Sequence, residues 1–300
     1  MDVMQLLMNG LVVGCIYGLI ALGYTMVYGI MGLINFAHGE VVMIGAMVTI
    51  SILHAFMAAG LDIPGVLMVL LALLCAVPIC MALGFSIEYV AYRPLRNAPR
   101  LAPLITAIGM SIVLQQVAAI IWGTRIIPFP ALLDQTPIRF LGATTNSIQL
   151  MVIVVCFSLM AALLLMINKT RIGRAMRATS QKPDVARLMG VNINRIISMT
   201  FMVGSGLGAV AGVMMAANYG QISYTSGFLI GLKAFCAAVL GGIGNLGGAV
   251  LGGVLMGVAE SLFTGIVGSQ WQDMFSFFVL IFVLLIRPSG LLGEKEADRA

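Results

Sequence analysis

The sequence is poor in charge. Asp, Glu, Lys and Arg make up 9% of its 300 residues, where soluble domains average about 25%. That deficit excludes an ordinary water-facing domain. Histidine is scarcer still: only His38 and His54 occur, too few for a recognisable zinc site. Cys15, Cys75, Cys80, Cys156 and Cys236 lie in apolar runs without CxxC or CxxH spacing, so they read as small core hydrophobes. No G-x-x-x-x-G-K-S/T string occurs, which excludes ATP hydrolysis by a P-loop in this chain. No catalytic constellation and no alternating barrel strands stand out. The net charge of +5 gathers in a few loops, so it reports topology and not nucleic-acid binding.

What is present is apolar: 61% of residues are hydrophobic. Stretches of membrane length fall at roughly 8–32, 37–59, 65–91, 101–122, 147–168, 196–217, 228–246, 249–268 and 272–287. Helices satisfy their own backbone groups in lipid. The chain therefore reads as all-α, a polytopic helical membrane protein of about eight or nine segments forming one transmembrane domain over 1–300. Met1-Asp2 is followed by no basic n-region, so the first span is expected to be retained.

Polar interruptions give the map. Seven of the sixteen basic residues lie between Lys169 and Arg195: Lys169, Arg171, Arg174, Arg177, Lys182, Arg187 and Arg195. Arg93, Arg96 and Arg100 form a second basic loop, and Lys295 and Arg299 follow Arg287 at the tail. Basic loops stay in the cytoplasm. The expected topology has the N-terminus outside, loop 123–146 outside and the C-terminus cytoplasmic. Loop 123–146, with Arg125, Pro128, Pro130, Asp134, Pro137 and Arg139, reads as a solvated connector, a lid or a docking surface. Trp122, Tyr219 and Trp271 sit at run ends, as interfacial aromatics do.

Within 169–195, Arg171, Arg174 and Arg177 share a face of a helix expected to continue the preceding span. Pro183 suits a first helical position and Asp184 a first turn. Val185, Leu188 and Met189 fall on one side, beside Ala186 and Arg187, and Gly190 ends the helix. This short amphipathic helix either lies on lipid headgroups or serves as a docking knob for a soluble partner.

Two stretches break the helical pattern, 32–40 and 241–248. Irregular backbone at membrane depth is tolerated only where protein or a cavity covers it, and broken segments point to transport pathways. Asn35, His38, Glu40, Gly244 and Asn245 are the pathway candidates there, with Glu260 inside its own apolar run. His38 and Glu40 read as a hydrogen-bonded helix start at the cytoplasmic interface, or as a proton relay. Lys233 is expected to snorkel to the outer surface. Glu260 is protonated, paired, or faces a wet cavity. Asn35–Gly45 and Asn245–Gly257 are loosely alike. Repeated glycines, among them Gly14, Gly18, Gly204, Gly208, Gly212, Gly248, Gly252, Gly253 and Gly257, suit close helix packing.

Several strings together resemble one family. They are Leu33-Ile34-Asn35-Phe36-Ala37-His38-Gly39-Glu40, Ala91-Tyr92-Arg93-Pro94-Leu95-Arg96, Leu101-Ala102-Pro103-Leu104-Ile105, Arg174-Ala175-Met176-Arg177-Ala178, Ala186-Arg187-Leu188-Met189-Gly190-Val191, Val239 to Ala249, and Arg287-Pro288-Ser289-Gly290-Leu291. The chain resembles, over nearly its whole length, the H-type permease subunit of bacterial branched-chain amino acid ABC importers. The resemblance implies a non-enzymatic, multi-pass subunit of the bacterial inner membrane. It implies a heterodimer with a second related permease, two cytoplasmic ATPase subunits that bind the ATP, and an extracytoplasmic substrate-binding protein. No cofactor is expected in this chain. Pro183, Asp184, Val185, Ala186, Arg187, Leu188, Met189 and Gly190 take the ATPase-coupling role. Lys182 departs from the family's usual Asn before that proline, and Ser180 is expected to supply the cap. Rival readings are a permease for urea or another small solute, an ion-coupled transporter using His38, Glu40 and Glu260, and a membrane scaffold.

Overall fold

In the computed structural model of this chain, the described residues are 3–96, 98, 99, 101–133, 136–140, 143–287 and 289–293. Arg100, Asp134, Pro288, Lys295 and Arg299 lie outside them, as does the Arg139 side chain. Among the described residues, eight helices are long and apolar enough to cross a membrane. They are α1 Val3–Met31, α2 His38–Ala58, α3 Gly65–Ile87 with its π-helical and 3-10 extension to Leu95, α4 Leu101–Trp122, α5 Ser147–Lys169, α8 Ile193–Tyr219, α10 Leu246–Val267, and α11 Gln272–Ile286 with a 3-10 turn before it. Between α5 and α8 lie two short helices, α6 Arg171–Gln181 and α7 Pro183–Leu188. The seventh apolar run, 228–246, forms the shorter α9 Ser226–Gly241, of 16 residues. At about 1.5 Å per residue it reaches only ~24 Å, short of the ~30 Å hydrocarbon layer.

The core is built on α1, α2 and α8. Helix α1 runs along α10, α8, α9 and α5, while α8 also packs on α2 and α3. Leu74, Ile120 and Leu285 stay exposed on α3, α4 and α11, which fits a lipid-facing rim. In lipid, side-chain area gives helices little reason to associate, so close backbone approach and van der Waals contact must hold them. The glycines provide it as expected. A Cβ built on Gly14 would sit 2.8 Å from Val254 Cα, and one on Gly10 would sit 2.6 Å from Val258 Cα. Gly253 and Gly257 face Gly18 and Gly14 from the other helix.

Two expectations about the ends of the bundle need correction. Helix α6 does not continue α5. Thr170 is extended between them, and its hydroxyl caps α6 by accepting from Gly173 N–H at 3.1 Å. Arg177 then folds back to donate to the Ile167 carbonyl near the end of α5. Ser180 does not cap α7. Its hydroxyl donates to the Arg177 carbonyl inside α6, and α7 begins at Lys182 with no side-chain cap.

Loop 123–146 is more ordered than a connector. Strand β1 Ile127–Pro128 pairs antiparallel with β4 Gln221–Ile222, and β2 Pro137–Phe140 pairs with β3 Ala143–Asn146. Gln5 near the start of α1 bonds both the N–H and the C=O of Thr144, at 2.8 and 2.9 Å. These straps lie at the end of the bundle opposite α6 and α7. Trp122, Tyr219 and Trp271 stand at helix ends on that same side. The cysteines behave as core hydrophobes at positions 15, 80, 156 and 236, whereas Cys75 is exposed on α3.

Candidate functional site

The expected coupling segment is a built projection. Proline occupies a first-turn position of α7, where its missing N–H costs nothing. Asp184 lies in that first turn, and Gly190 leaves the helix at φ +83°, where a Cβ would strain the backbone. Ala186 is buried against the bundle. Leu188 and Met189 point away from it, 86% and 80% exposed, with Val185 half exposed. Arg171, Arg174, Arg187 and Arg195, in the same basic stretch of sequence, are also exposed. Val191 N–H returns to the Ala186 carbonyl at 3.0 Å, and Asn192 caps α8 by accepting from Arg195 N–H. The projection is thus joined to α8 by one tight turn.

The first turns of α8 lead to a polar cluster that the sequence did not reveal. Glu88 is fully buried at the end of α3. Arg96 donates to Glu88 and also to Asn194 of α8. Ser198, one turn further along α8, donates to the other Glu88 oxygen at 2.7 Å. A buried acid eight residues ahead of Arg96 was the available signal. Tyr92 lies between them and donates to Asn35 Oδ1 at 3.0 Å. Asn35 of the first break is thus held by Tyr92, on the same segment as Glu88 and Arg96.

His38 and Glu40 lie deeper than the interfacial position expected of them. Both are buried. Glu40 Oε1 accepts from Ser111, halfway along α4, at 3.1 Å. The His38 ring meets Tyr24 edge-on, centroids 4.9 Å apart, and lies over Gly208 near the middle of α8. His38 Nε2 and Glu40 Oε2 have no hydrogen-bond partner among the described residues. Helix α2 thus begins inside the bundle.

The second break is closed by the end of the chain. Gly242 and Gly244 take φ values of +106° and +98°, and Asn245 caps α10 by accepting from Gly248 N–H at 3.0 Å. The other end of the Asn245 amide donates to the Leu292 carbonyl at 2.8 Å. Leu291 and Leu292 N–H groups bond the Leu240 and Gly241 carbonyls. Gly244 itself is exposed and lies against Gly29 of α1.

Lys233 does not snorkel. It is buried and held at 2.7 Å by both Glu260 and Asp273. Gln272 donates to the same Glu260 oxygen at 2.6 Å. Glu260 is thus paired, as one of its expected states required. The arrangement makes sense energetically, because a charge buried alone in a low-dielectric interior costs several kcal/mol and a partner offsets it. Lys233, Gln272 and Asp273 line a cavity of about 300 Å³ beneath the β1–β4 strap. The six pathway candidates are therefore not one site. Asn35 bonds Tyr92, His38 and Glu40 lie mid-bundle, Gly244 and Asn245 form the second break, and Glu260 lies behind the cavity wall, bonded to its members Lys233 and Gln272. Among the described residues no His/Cys/Asp/Glu group could hold a metal ion.

Known proteins place this arrangement. The chain is 46% identical over 304 residues to the high-affinity branched-chain amino acid transport system permease protein BraD of Pseudomonas aeruginosa, covering 99% of this chain and 97% of BraD. It is 44% identical over 300 residues to the permease protein LivH of Escherichia coli, with the same coverage of each. A probable branched-chain amino acid transport permease of Methanocaldococcus jannaschii is 28% identical, over 92% of this chain and 88% of that protein. No solved structure matches the chain. The family model described as branched-chain amino acid transport system, permease component, matches residues 6–284, and this multi-pass membrane chain belongs to that family.

Proposed function

We propose that this chain is the translocation subunit of an ATP-driven importer that moves branched-chain, hydrophobic amino acids into the cytoplasm. It carries no catalytic site or cofactor of its own. ATP is bound and hydrolysed by two cytoplasmic ATPase subunits, a second related permease completes the membrane dimer, and an extracytoplasmic binding protein delivers the solute. The chain lies in the bacterial inner membrane with the α6–α7 end in the cytoplasm, so the N-terminus and loop 123–146 are outside and the C-terminus inside.

The observation that carries this reading is the α7 projection. Its exposed Leu188 and Met189 are joined by one turn to a core helix, in a loop with several exposed arginines. A helix resting on headgroups would not need Ala186 pinned against the bundle. A gradient-driven transporter would have no use for a cytoplasmic lever. Residues 183–190 are the coupling element, and residues 169–195 form the cytoplasmic coupling loop.

Burying a leucine side chain contributes roughly 1.5–3 kcal/mol. Leu188→Asp should therefore reduce co-purification of the ATPase subunits at least tenfold, or uncouple ATP hydrolysis from leucine uptake, with membrane insertion normal. Unchanged recovery and unchanged uptake would return α7 to the lipid surface. Wild-type proteoliposomes that import urea but no branched-chain amino acid would leave the machine and correct the cargo.

A further inference from the structure

The cavity at the strapped end of the bundle has more polar capacity than its own contacts use. Lys233 Nζ carries three donors, and Glu260 and Asp273 take two. Asp273 is the open member of the trio, its side chain 58% accessible against 9% for Lys233. One of its oxygens bonds Lys233, which leaves the second for another partner. Gln272 spends its amide N–H on Glu260, so its carbonyl oxygen is an unused acceptor in the wall. The Ser226 hydroxyl, which accepts from Ser223 N–H, retains its own hydrogen to donate.

The charges do not balance. One ammonium faces two carboxylates, a surplus of one negative charge, and among the described residues no other basic side chain lines the cavity. A ligand ammonium is therefore favoured beside Asp273 and Gln272. A carboxylate on the same ligand gives an acceptor to the third Lys233 hydrogen and keeps the ligand neutral, so the surplus is not increased. The wall also has an apolar part, Val13 and Ile16 of α1, Met215 of α8, Leu229 and Ile230 of α9, beside Tyr17, Tyr219, Gln221 and Ser223. A simple anion would meet the surplus negative charge. A simple metal cation would meet Lys233 and leave the apolar wall unused. The volume of about 300 Å³ is at the lower end of small-ligand pockets.

We propose that this cavity is a binding site for a zwitterionic α-amino acid with an aliphatic side chain, Asp273 taking its ammonium and Lys233 its carboxylate. The inference rests on the importer reading and adds to it a place where the solute halts between the binding protein and the bundle. The β1–β4 strap contributes Gln221, Ile222 and the adjoining Ile126 to the lining, which puts the cavity at the end of the bundle opposite α7.

The test is equilibrium binding of tritiated L-leucine to the purified permease–ATPase complex without the binding protein. Wild type should bind leucine, and neither leucinol, which lacks the carboxylate, nor 4-methylpentanoate, which lacks the ammonium, should compete. Asp273→Asn should weaken binding at least tenfold while leaving the buried Lys233–Glu260 pair in place. Leu229→Trp fills the apolar wall from a different helix and should abolish binding. Assembly is checked in each variant by ATPase co-purification. Absence of leucine binding in wild type, equal affinity in both variants, or competition by either truncated analogue would overturn the proposal. Leucine uptake by the wild-type importer, assayed in parallel with the binding protein, separates the two readings. Uptake without cavity binding sinks this inference alone, whereas absence of uptake sinks the importer assignment.

Discussion

Arg96→Met tests how much the bundle depends on the Glu88 cluster. Glu88 is fully buried, and the Arg96 side chain is 18% accessible. Removing Arg96 leaves a carboxylate in the bundle with only the Ser198 hydroxyl to stabilise it. Breaking a buried pair by deleting one partner costs about 3–5 kcal/mol, most of it the desolvation of the charge left behind. Glu88→Gln should cost less, about 1–3 kcal/mol. The amide can still accept from Ser198, and Arg96, being partly accessible, can turn toward water. The double variant buries no unpaired charge, so it should be more stable than Arg96→Met alone. The interaction energy from the cycle should lie near 2–3 kcal/mol, within the range found for contacting groups. Reversible unfolding of the purified chain in mixed detergent micelles gives all four corners. If Arg96→Met costs no more than Glu88→Gln, and the double variant equals the sum of the singles, the pair contributes nothing and the argument fails.

Gly253→Leu puts a side chain against the Gly18 and Gly14 backbone and should destabilise the α1–α10 contact by about 1–3 kcal/mol or more; Gly109→Leu on α4, where a Cβ meets nothing within 4 Å, is the control that should unfold like wild type. Asn245→Ala removes both the α10 cap and the bond to Leu292, about 0.5–2 kcal/mol for the cap. Limited proteolysis of the tail should accelerate in that variant, and an unchanged cleavage rate would show that the tail is held without it. For orientation, single Ser180→Cys and Thr136→Cys changes in a cysteine-free background should differ in intact cells. An impermeant thiol reagent should label only the Thr136→Cys variant, and the opposite pattern inverts the map.

Much of the architecture was legible because lipid imposes it. Long apolar runs became long helices, and Pro183 and Gly190 bounded α7 because each backbone conformation needs that residue type. Lys233 was misread because hydropathy sees a lone charge. Its partners, Glu260 and Asp273, come from two other helices, and nothing local announces them. Helix α6 was misread because Thr170 looks like any polar residue until its extended backbone and its bond to Gly173 are seen. The plug on the second break was invisible for a different reason. It is made by the backbone N–H groups of Leu291 and Leu292, which leave no trace in residue type. The same holds for β1 and β4, two residues each, too short for any period to show.

The placement of the polar groups says where the bundle is stiff. Helices α1 and α10 are locked by glycine contacts between backbones, which tolerate no sliding without a clash. Helix α8 is tied to α3 through Asn194, Arg96, Glu88 and Ser198, all within its first two turns. Leu188 thus lies one turn from the end of α8 that is bonded to α3, and Tyr92 on the α3 extension donates to Asn35 in the first break. On the other side of α1, α9 is too short to span the hydrocarbon layer. It ends at two positive-φ glycines, and Lys233 ion-pairs it to α10 and α11. Glycines lock α9 as they lock α1 and α10: a Cβ on Gly252 of α10 would sit 2.6 Å from Gly241 N, and one on Gly231 would sit 2.9 Å from Gly39 Cα of α2. The charged cavity therefore lies against a fixed face, with Leu229, Ile230 and Lys233 of α9 in its wall.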